Sequence, residues 1–246
     1  MEIIYTQDKT WLSRWDDFVL AEEKASHLLL SDWVKSFKSY GFGSDFCLAV
    51  DGEKVIGGFA AVVAKVSKFK FYIVPYGPIV SSGNEAVLEK LIASVQTRAK
   101  HFKTCYAHIT LPAKNEETNG HLFRNLPKFP SLENAKSGHL FKYVYSSNGL
   151  NWIDLRGFDE ESKIMTLKPA VRRNIRNSQR KGLEYTILDT REKLAEGYAL
   201  FQQNAQSAGY SIRSWNEIKE TLFALLEKDA IRMLAVYNEN EIKGAI

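Results

Sequence analysis

Residues 167–188, LKPAVRRNIRNSQRKGLEYTIL, join a basic helix to a strand in the second half of the chain. Pro169 suits the first turn of a helix, and Gly182 suits the position just beyond its end. One helical face is apolar and is expected to pack against the protein: Leu167, Val171 and Ile175. A separate face carries arginines: Arg172, Arg173, Arg176 and Arg180. The stretch therefore predicts an amphipathic helix with one packed side and one cationic side.

The basic helix concentrates positive charge in a chain that is otherwise nearly neutral. Lys163 to Lys181 include seven basic residues and no acid, whereas the whole chain of 246 residues carries a formal charge of +4. Without acids in the segment, ion pairs between successive helical turns are not expected. The guanidinium fork of arginine suits phosphate or carboxylate. Three interpretations stay open: a solvated cationic face, a nucleic-acid surface, or a site for a compact pyrophosphate.

The elements on either side of this helix predict an α+β fold. The first half reads strand, two helices, antiparallel strands, helix and strand, with the helices at 11–21, 31–41 and 84–102. After the basic helix the order strand, two helices and hairpin recurs. This repetition predicts a duplicated α+β unit, with a mixed sheet flanked by helices. We place the first domain at residues 1–155 and the second at 156–246.

The second copy of this unit is shorter than the first. Ile246 falls within the second hairpin strand, and nothing after it matches the later strands and the 84–102 helix of the first copy. Such a strand would leave an unpaired edge. We therefore expect a fragment of a longer protein with an incomplete second domain.

Composition indicates a globular protein of the cytoplasm. The chain is 45% hydrophobic and 25% charged, and it has no apolar run of the length that crosses a bilayer. The start, MEIIYTQDKTW, lacks the basic and apolar regions of a signal peptide. Cys47 and Cys105 each lie in an apolar, strand-like run, which predicts two buried free thiols. The histidines lack metal-ligand spacing, so no metal site is expected.

Four stretches, taken in order, resemble the FemAB family of Fem-type aminoacyltransferases, which build the interpeptide bridges of peptidoglycan. Residues 167–188 follow the family pattern Lys-x-x-x-Arg-x-Asn-Ile-Arg-x-Ala-x-x-x-Gly, except that Ser178 replaces the usual alanine. SDWVKSF resembles the family's Trp-x-x-Lys segment, with Trp33 and Lys35 one residue closer than in some members. YIVPYGPIV resembles the Tyr-x-Pro-x-Gly-Pro turn, and GLNWIDLRGFDEES resembles the strand that leads into the basic helix.

This resemblance implies two GNAT-like domains and an aminoacyl transfer. The donor substrate would be aminoacyl-tRNA, with no cofactor, and the acceptor would be the stem peptide of a peptidoglycan precursor. By motif match, Lys35 and Arg172 would bind the phosphates of the precursor. Arg176, on the same helix face, and Tyr76, in the PYGP turn, would be further substrate contacts. Whether the precursor is UDP-linked or lipid-linked stays open, and a lipid-linked precursor would bring the protein to the inner membrane face.

The sequence does not single out a general base, and it leaves two alternative functions. Three aspartates are possible bases, and their spacing does not single out one of them: Asp32, Asp45 and Asp154. One alternative is an acyl-CoA-dependent N-acyltransferase of the same fold, although PIVSSGN lacks the Gln/Arg-x-x-Gly-x-Gly/Ala loop that binds pyrophosphate in those enzymes. The other is a non-catalytic module that binds tRNA or the precursor.

Overall fold

The computed structural model describes residues 1–23, 25–82, 85–111, 156–157, 159–181, 183–239 and 241–246. The chain divides into two compact units, Met1–Gly149 and Leu150–Ile246, and each has its own sheet. The predicted domain boundary after residue 155 falls beside a stretch outside the described residues and stays a prediction. Most of GLNWIDLRGFDEES lies outside them as well.

The first unit is built on a six-stranded mixed sheet. Its strands are β1 (Glu2–Tyr5), β2 (Gly43–Asp51), β3 (Lys54–Val66), β4 (Phe69–Val74), β5 (Ile79–Val80) and β6 (Tyr106–Ile109). The strand order is β1-β2-β3-β4-β6, and β5 pairs with β3. The β4–β6 pair is parallel and the other pairs are antiparallel. The mixed sheet predicted from the sequence is therefore confirmed.

Helices cover the sheet of the first unit: α1 (Lys9–Ala21), α2 (Ser31–Lys35) and α3 (Glu85–His101). The apolar side of α3 packs on one face of the sheet, in a core that includes Cys47, Phe59, Tyr72, Leu91 and Val95. The other face contacts α1 and α2. Helical structure follows the predicted 31–41 and ends at Gly41, but its second half, Ser36–Tyr40, is a 3-10 helix rather than a continuation of α2.

A close approach between Trp15 and Gly58 seats α1 on the sheet. Trp15 is fully buried, and its indole N–H donates to the carbonyl oxygen of Leu29 at 2.9 Å. A Cβ at Gly58 would lie 2.8 Å from the Trp15 ring and 2.6 Å from the carbonyl oxygen of Cys47. Real Cβ atoms do not come this close, so the glycine is required for this helix to sit directly on β3.

A buried ionic network ties α3 to β2 and β4. The Asp45 carboxylate, 4% exposed, accepts two hydrogen bonds from the Arg98 guanidinium at 2.8 Å each and one from the Tyr72 hydroxyl at 2.7 Å. The hydrogen bond to Asp45 raises the pKa of Arg98 above its usual range. Burial raises the pKa of the Tyr72 hydroxyl and raises that of the Cys47 thiol to about 12. Both groups therefore stay protonated and neutral beside the ion pair.

The second unit repeats the beginning of the first. Its elements are α4 (Glu160–Thr166), α5 (Pro169–Arg180), β7 (Glu184–Leu188), α6 (Arg191–Ala208), α7 (Trp215–Glu227), β8 (Met233–Asn238) and β9 (Glu241–Ala245). The antiparallel order β7-β8-β9 matches β1-β2-β3, and α6 and α7 occupy the chain position of α1 and α2. This match confirms the repeat of strand, two helices and hairpin that the sequence predicts.

Two predictions about burial are wrong. Cys47 is buried, but Cys105 is exposed just before β6, where its thiol donates to the carbonyl oxygen of Lys70 at 3.0 Å. No residue of α5 is buried, and Val171 on its expected packing face is 43% exposed. Helical periodicity identifies an apolar face, but it does not supply the surface that would cover it.

The described residues contain neither a candidate membrane span nor a candidate metal site. None of the helices described is long and apolar enough to span a membrane. The described residues also contain no cluster of His, Cys, Asp or Glu side chains suited to a metal ion.

His108 is expected to make the first unit less stable in mild acid. It is half-buried in β6, with Nε2 3.2 Å from the Thr110 hydroxyl, and burial lowers its pKa. The imidazole therefore binds a proton more readily in the unfolded chain than in the folded one. The stabilising contribution of neutral His108 is fully present above the ordinary pKa of histidine, and it is lost as the pH falls from there through the lower pKa of the folded state. Urea denaturation between about pH 7 and pH 5 should show a falling free energy of unfolding. An equally steep fall in His108→Gln would contradict this assignment.

Candidate functional site

A buried carboxylate on α1 holds the short helix that carries Lys35. Asp16, 2% exposed, accepts hydrogen bonds from the backbone N–H and the hydroxyl of Ser31, both at 2.7 Å. Ser31 is the first residue of α2, and Lys35 is the last. The sequence predicts capping by Ser31 or Asp32, but the capping carboxylate comes from the neighbouring helix. Asp16 thus fixes the position of α2 on the first unit.

Lys35 lies half-buried against the sheet. Its ammonium nitrogen is 5.9 Å from the centroid of the Phe46 ring, which is fully buried in β2. This distance is within the range of a cation–π interaction. The aliphatic stem of a lysine packs readily on apolar surface while its charge stays accessible. Packing against the sheet therefore limits the positions that the Lys35 ammonium can take.

The turn that carries Tyr76 adjoins the segment that leads into α2. Gly77 takes a left-handed φ of +113°, and its N–H donates to the carbonyl oxygen of Thr110 at 2.8 Å. A Cβ at Gly77 would lie 3.6 Å from a methyl carbon of Leu29, which precedes α2 by two residues. Tyr76 itself is 6% exposed, and burial raises its pKa. Its role as a substrate contact stays a prediction.

The arginines predicted to bind phosphate are in the second unit, on α5. One guanidinium nitrogen of Arg172 donates to the Met165 carbonyl oxygen at 3.0 Å. Arg176 forms an ion pair with Glu161 of α4, with 2.8 Å between the guanidinium nitrogen and the carboxylate oxygen. The sequence predicts no ion pairs along the basic helix itself, and the partner of Arg176 comes from the preceding helix. About half of the Arg176 side chain is exposed, so this pair is weak.

Other cations on α5 remain available to an anion. Arg173 and Arg180 are exposed, and within the described ranges no residue forms a hydrogen bond or ion pair with either guanidinium. Arg172 is half-buried, and its guanidinium donates to a neutral carbonyl without forming an ion pair to any residue that the structure describes. The face is therefore cationic even after the pairing of Arg176.

The structure removes one of the three carboxylates considered as a general base. Both oxygens of Asp45 accept hydrogen bonds from Arg98, and one of them also accepts from Tyr72. A carboxylate that is buried and bound in this way is committed to the fold. Asp32 is half-buried on α2. Asp154 lies outside the described residues.

Comparison with known proteins places the chain in a family. The FemAB family model matches residues 12–242, which is nearly the whole chain. The chain belongs to the FemAB family. FemAB family members are transferases of cell-wall synthesis, and the resemblance found in the sequence is confirmed.

One solved structure shares the fold of this chain. The crystal structure of FemX superposes with a TM-score of 0.66 at 19% sequence identity, covering 96% of this FemAB chain and 57% of FemX. The chain thus spans little more than half the length of that structure. A ribosomal-protein-alanine N-acetyltransferase from Brucella melitensis biovar Abortus 2308 matches at a TM-score of 0.38 and 10% identity, over 52% of this chain and 92% of that one. No curated protein matches significantly.

Sequence reasoning missed Asp16, although a signal was present. Asp16 belongs to the apolar stripe of α1, together with the buried residues Leu12, Trp15 and Val19. An acid on the buried face of an amphipathic helix must have a partner, because an unpaired buried charge is strongly unfavourable. That signal marks Asp16 as important but does not identify Ser31 as its partner.

Proposed function

We propose that this FemAB protein transfers an amino acid from aminoacyl-tRNA to the stem peptide of a peptidoglycan precursor. The observation that supports the proposal is the family match over residues 12–242. We further propose that the protein acts in the cytoplasm and needs no cofactor besides its tRNA-linked donor.

The proposed reaction is an aminolysis of an ester. The stem-peptide amine attacks the ester carbonyl carbon of the aminoacyl-tRNA, and a new C–N amide bond forms. The ester C–O bond breaks, and the terminal ribose hydroxyl of the tRNA leaves with the proton that the amine gives up. Such a reaction depends mainly on a neutral amine and on positioning. No residue is assigned as the base.

Lys35 and Arg172 are proposed to bind the pyrophosphate of the precursor. Lys35, half-buried with its ammonium over the Phe46 ring, and the Arg172 guanidinium, which donates to a neutral carbonyl, fit this role, because charge-assisted hydrogen bonds to phosphate are strong. Arg176 is proposed as a weaker contact, since binding a phosphate would compete with Glu161. Tyr76 is proposed to contact the sugar or peptide.

Binding of a UDP-linked muropeptide tests the proposal. We expect the precursor to raise the melting temperature of the protein, and Lys35→Ala and Arg172→Ala each to weaken binding by roughly 10- to 100-fold. The matched controls are Lys38→Ala, an exposed lysine close to Lys35, and Lys193→Ala, an exposed lysine on α6 of the second unit. They should bind within about twofold of the parent protein. Equal losses in variants and controls would contradict the site.

The alternative functions give different results in the same assay. Stabilisation by acetyl-CoA, without stabilisation by the muropeptide, would favour an acyl-CoA-dependent N-acyltransferase. Salt-sensitive binding of tRNA without binding of the precursor would favour a non-catalytic module. Transfer of a radiolabelled amino acid from charged tRNA to the muropeptide would establish the proposed activity directly.

A further inference from the structure

The hairpin between β3 and β4 projects an apolar pair into solvent. Its end, residues 65–70 (KVSKFK), is called the hairpin tip below. Val66 and Phe69 are directly opposite each other in the strand register and are 41% and 60% exposed. Residues paired in this way lie on the same face of a hairpin. The two side chains thus form a small exposed apolar patch at the end of the sheet.

Lysines surround this apolar pair. Lys65 and Lys70 are also directly opposite each other, on the other face of the same two strands, and Lys68 lies in the turn. Like charges in this arrangement repel each other and destabilise a hairpin. Among the residues that the structure describes, none forms an ion pair with these lysines. The hairpin tip therefore carries unfavourable charge that an anionic partner would relieve.

The neighbouring end of α3 enlarges the cationic surface. The Cys105 N–H donates to the carbonyl oxygen of Lys70 at 3.0 Å, so the turn after α3 lies beside the hairpin tip. That turn and the last helical turn add Lys100 and Lys103. Neither 65–70 nor 100–106 contains an acid. The surface thus combines five lysines with two exposed apolar side chains.

We propose that the hairpin tip docks on an anionic phospholipid surface. Val66 and Phe69 would enter the boundary between headgroups and acyl chains, and the lysines would lie over the negative headgroups. The aliphatic Val66 beside Phe69 favours lipid over RNA, because proteins that bind single-stranded RNA stack its bases on aromatic side chains. Lysine rather than arginine also favours a diffuse negative surface over a defined phosphate.

This docking surface is independent of the proposed transfer reaction. It rests on the register, exposure and charge of the first unit alone. If the transfer reaction is also correct, docking would bring the protein to the surface where lipid-linked acceptors are found. Vesicle binding and muropeptide binding are separate measurements, so either proposal can fail without the other.

Co-sedimentation of the full chain with vesicles tests the docking. We expect binding to vesicles that contain phosphatidylglycerol, little binding to pure phosphatidylcholine, and loss of binding at high salt. Val66→Ser/Phe69→Ser should weaken binding by about tenfold or more. Lys65→Gln/Lys70→Gln should weaken it by about fivefold per lysine.

Matched controls lie elsewhere on the first unit. Leu20→Ser replaces a side chain on α1 that is 52% exposed, and Lys54→Gln replaces an exposed lysine at the opposite end of β3. Both should bind vesicles like the parent chain. The proposal is overturned if the parent chain does not bind anionic vesicles, or if the tip variants bind as well as the controls. The proposal is also overturned if the parent chain binds tRNA but not vesicles, and if Lys65→Gln/Lys70→Gln weakens this tRNA binding.

Discussion

Replacing Asp45 with alanine is expected to lower the free energy of unfolding of the first unit by about 3–5 kcal/mol. The substitution leaves the Arg98 guanidinium, whose side chain is 16% exposed, without its carboxylate partner. It also removes the acceptor of the buried Tyr72 hydroxyl. A broken buried ion pair is more harmful than one that was never formed, because the remaining charge stays desolvated.

Native-state hydrogen exchange of β2 and α3 amides would measure this loss within the first unit. Asp51→Ala is the matched control, since Asp51 ends the same strand with a side chain that is 72% exposed. We expect it to change stability by less than about 0.5 kcal/mol. Pairing Asp45→Ala with Arg98→Met should recover part of the loss, because no unpaired charge remains. Similar losses in Asp45→Ala and Asp51→Ala would show that the network contributes little.

Asp16→Ala is expected to lower stability by about 2–4 kcal/mol and also to weaken precursor binding. The substitution leaves the N–H and hydroxyl of Ser31 without their buried acceptor. Since Ser31 begins α2, the helix that carries Lys35 loses its anchor to α1. Asp16 is thus a positioning residue for Lys35 rather than a ligand of the substrate.

The stability and binding effects of Asp16→Ala can be separated. Asp17→Ala changes the next residue of α1, which is exposed, and should leave both properties nearly unchanged. If Lys35 binds precursor, Asp16→Ala should raise KM more than it lowers kcat, because substrate is bound less well while the chemistry is not altered. Reduced stability with an unchanged KM would show that precise placement of α2 is not needed.

Local patterns in the sequence predict individual elements well. The spacing of Trp15 and Val19 identifies α1, and Pro169 marks the beginning of α5. The repeated order of elements identifies the duplicated unit. These features depend on residues close together in the chain, where helical and strand periods act directly.

Contacts between distant residues could not be predicted in this way. Asp16 and Ser31 are separated by 15 residues, and Asp45 and Arg98 by 53. Each pair exists only because packing brings two elements together. The exposure of Cys105 could not be predicted from its neighbours either. Its apolar neighbours predict a buried strand residue, but β6 begins one residue later and Cys105 is exposed. The candidate phosphate ligands were found by family resemblance rather than by periodicity.

The approach of Trp15 to Gly58 has a consequence for the divergence of this fold. A side chain at position 58 would have to displace both the Trp15 ring and the backbone of β2 at Cys47. Positions 15 and 58 therefore cannot vary independently in a chain that keeps this spacing between α1 and the sheet. A relative with alanine or a larger residue at the second position should carry a smaller residue than tryptophan at the first, together with a local widening of the β2–β3 pair. The two positions should consequently covary when sequences of this domain are aligned.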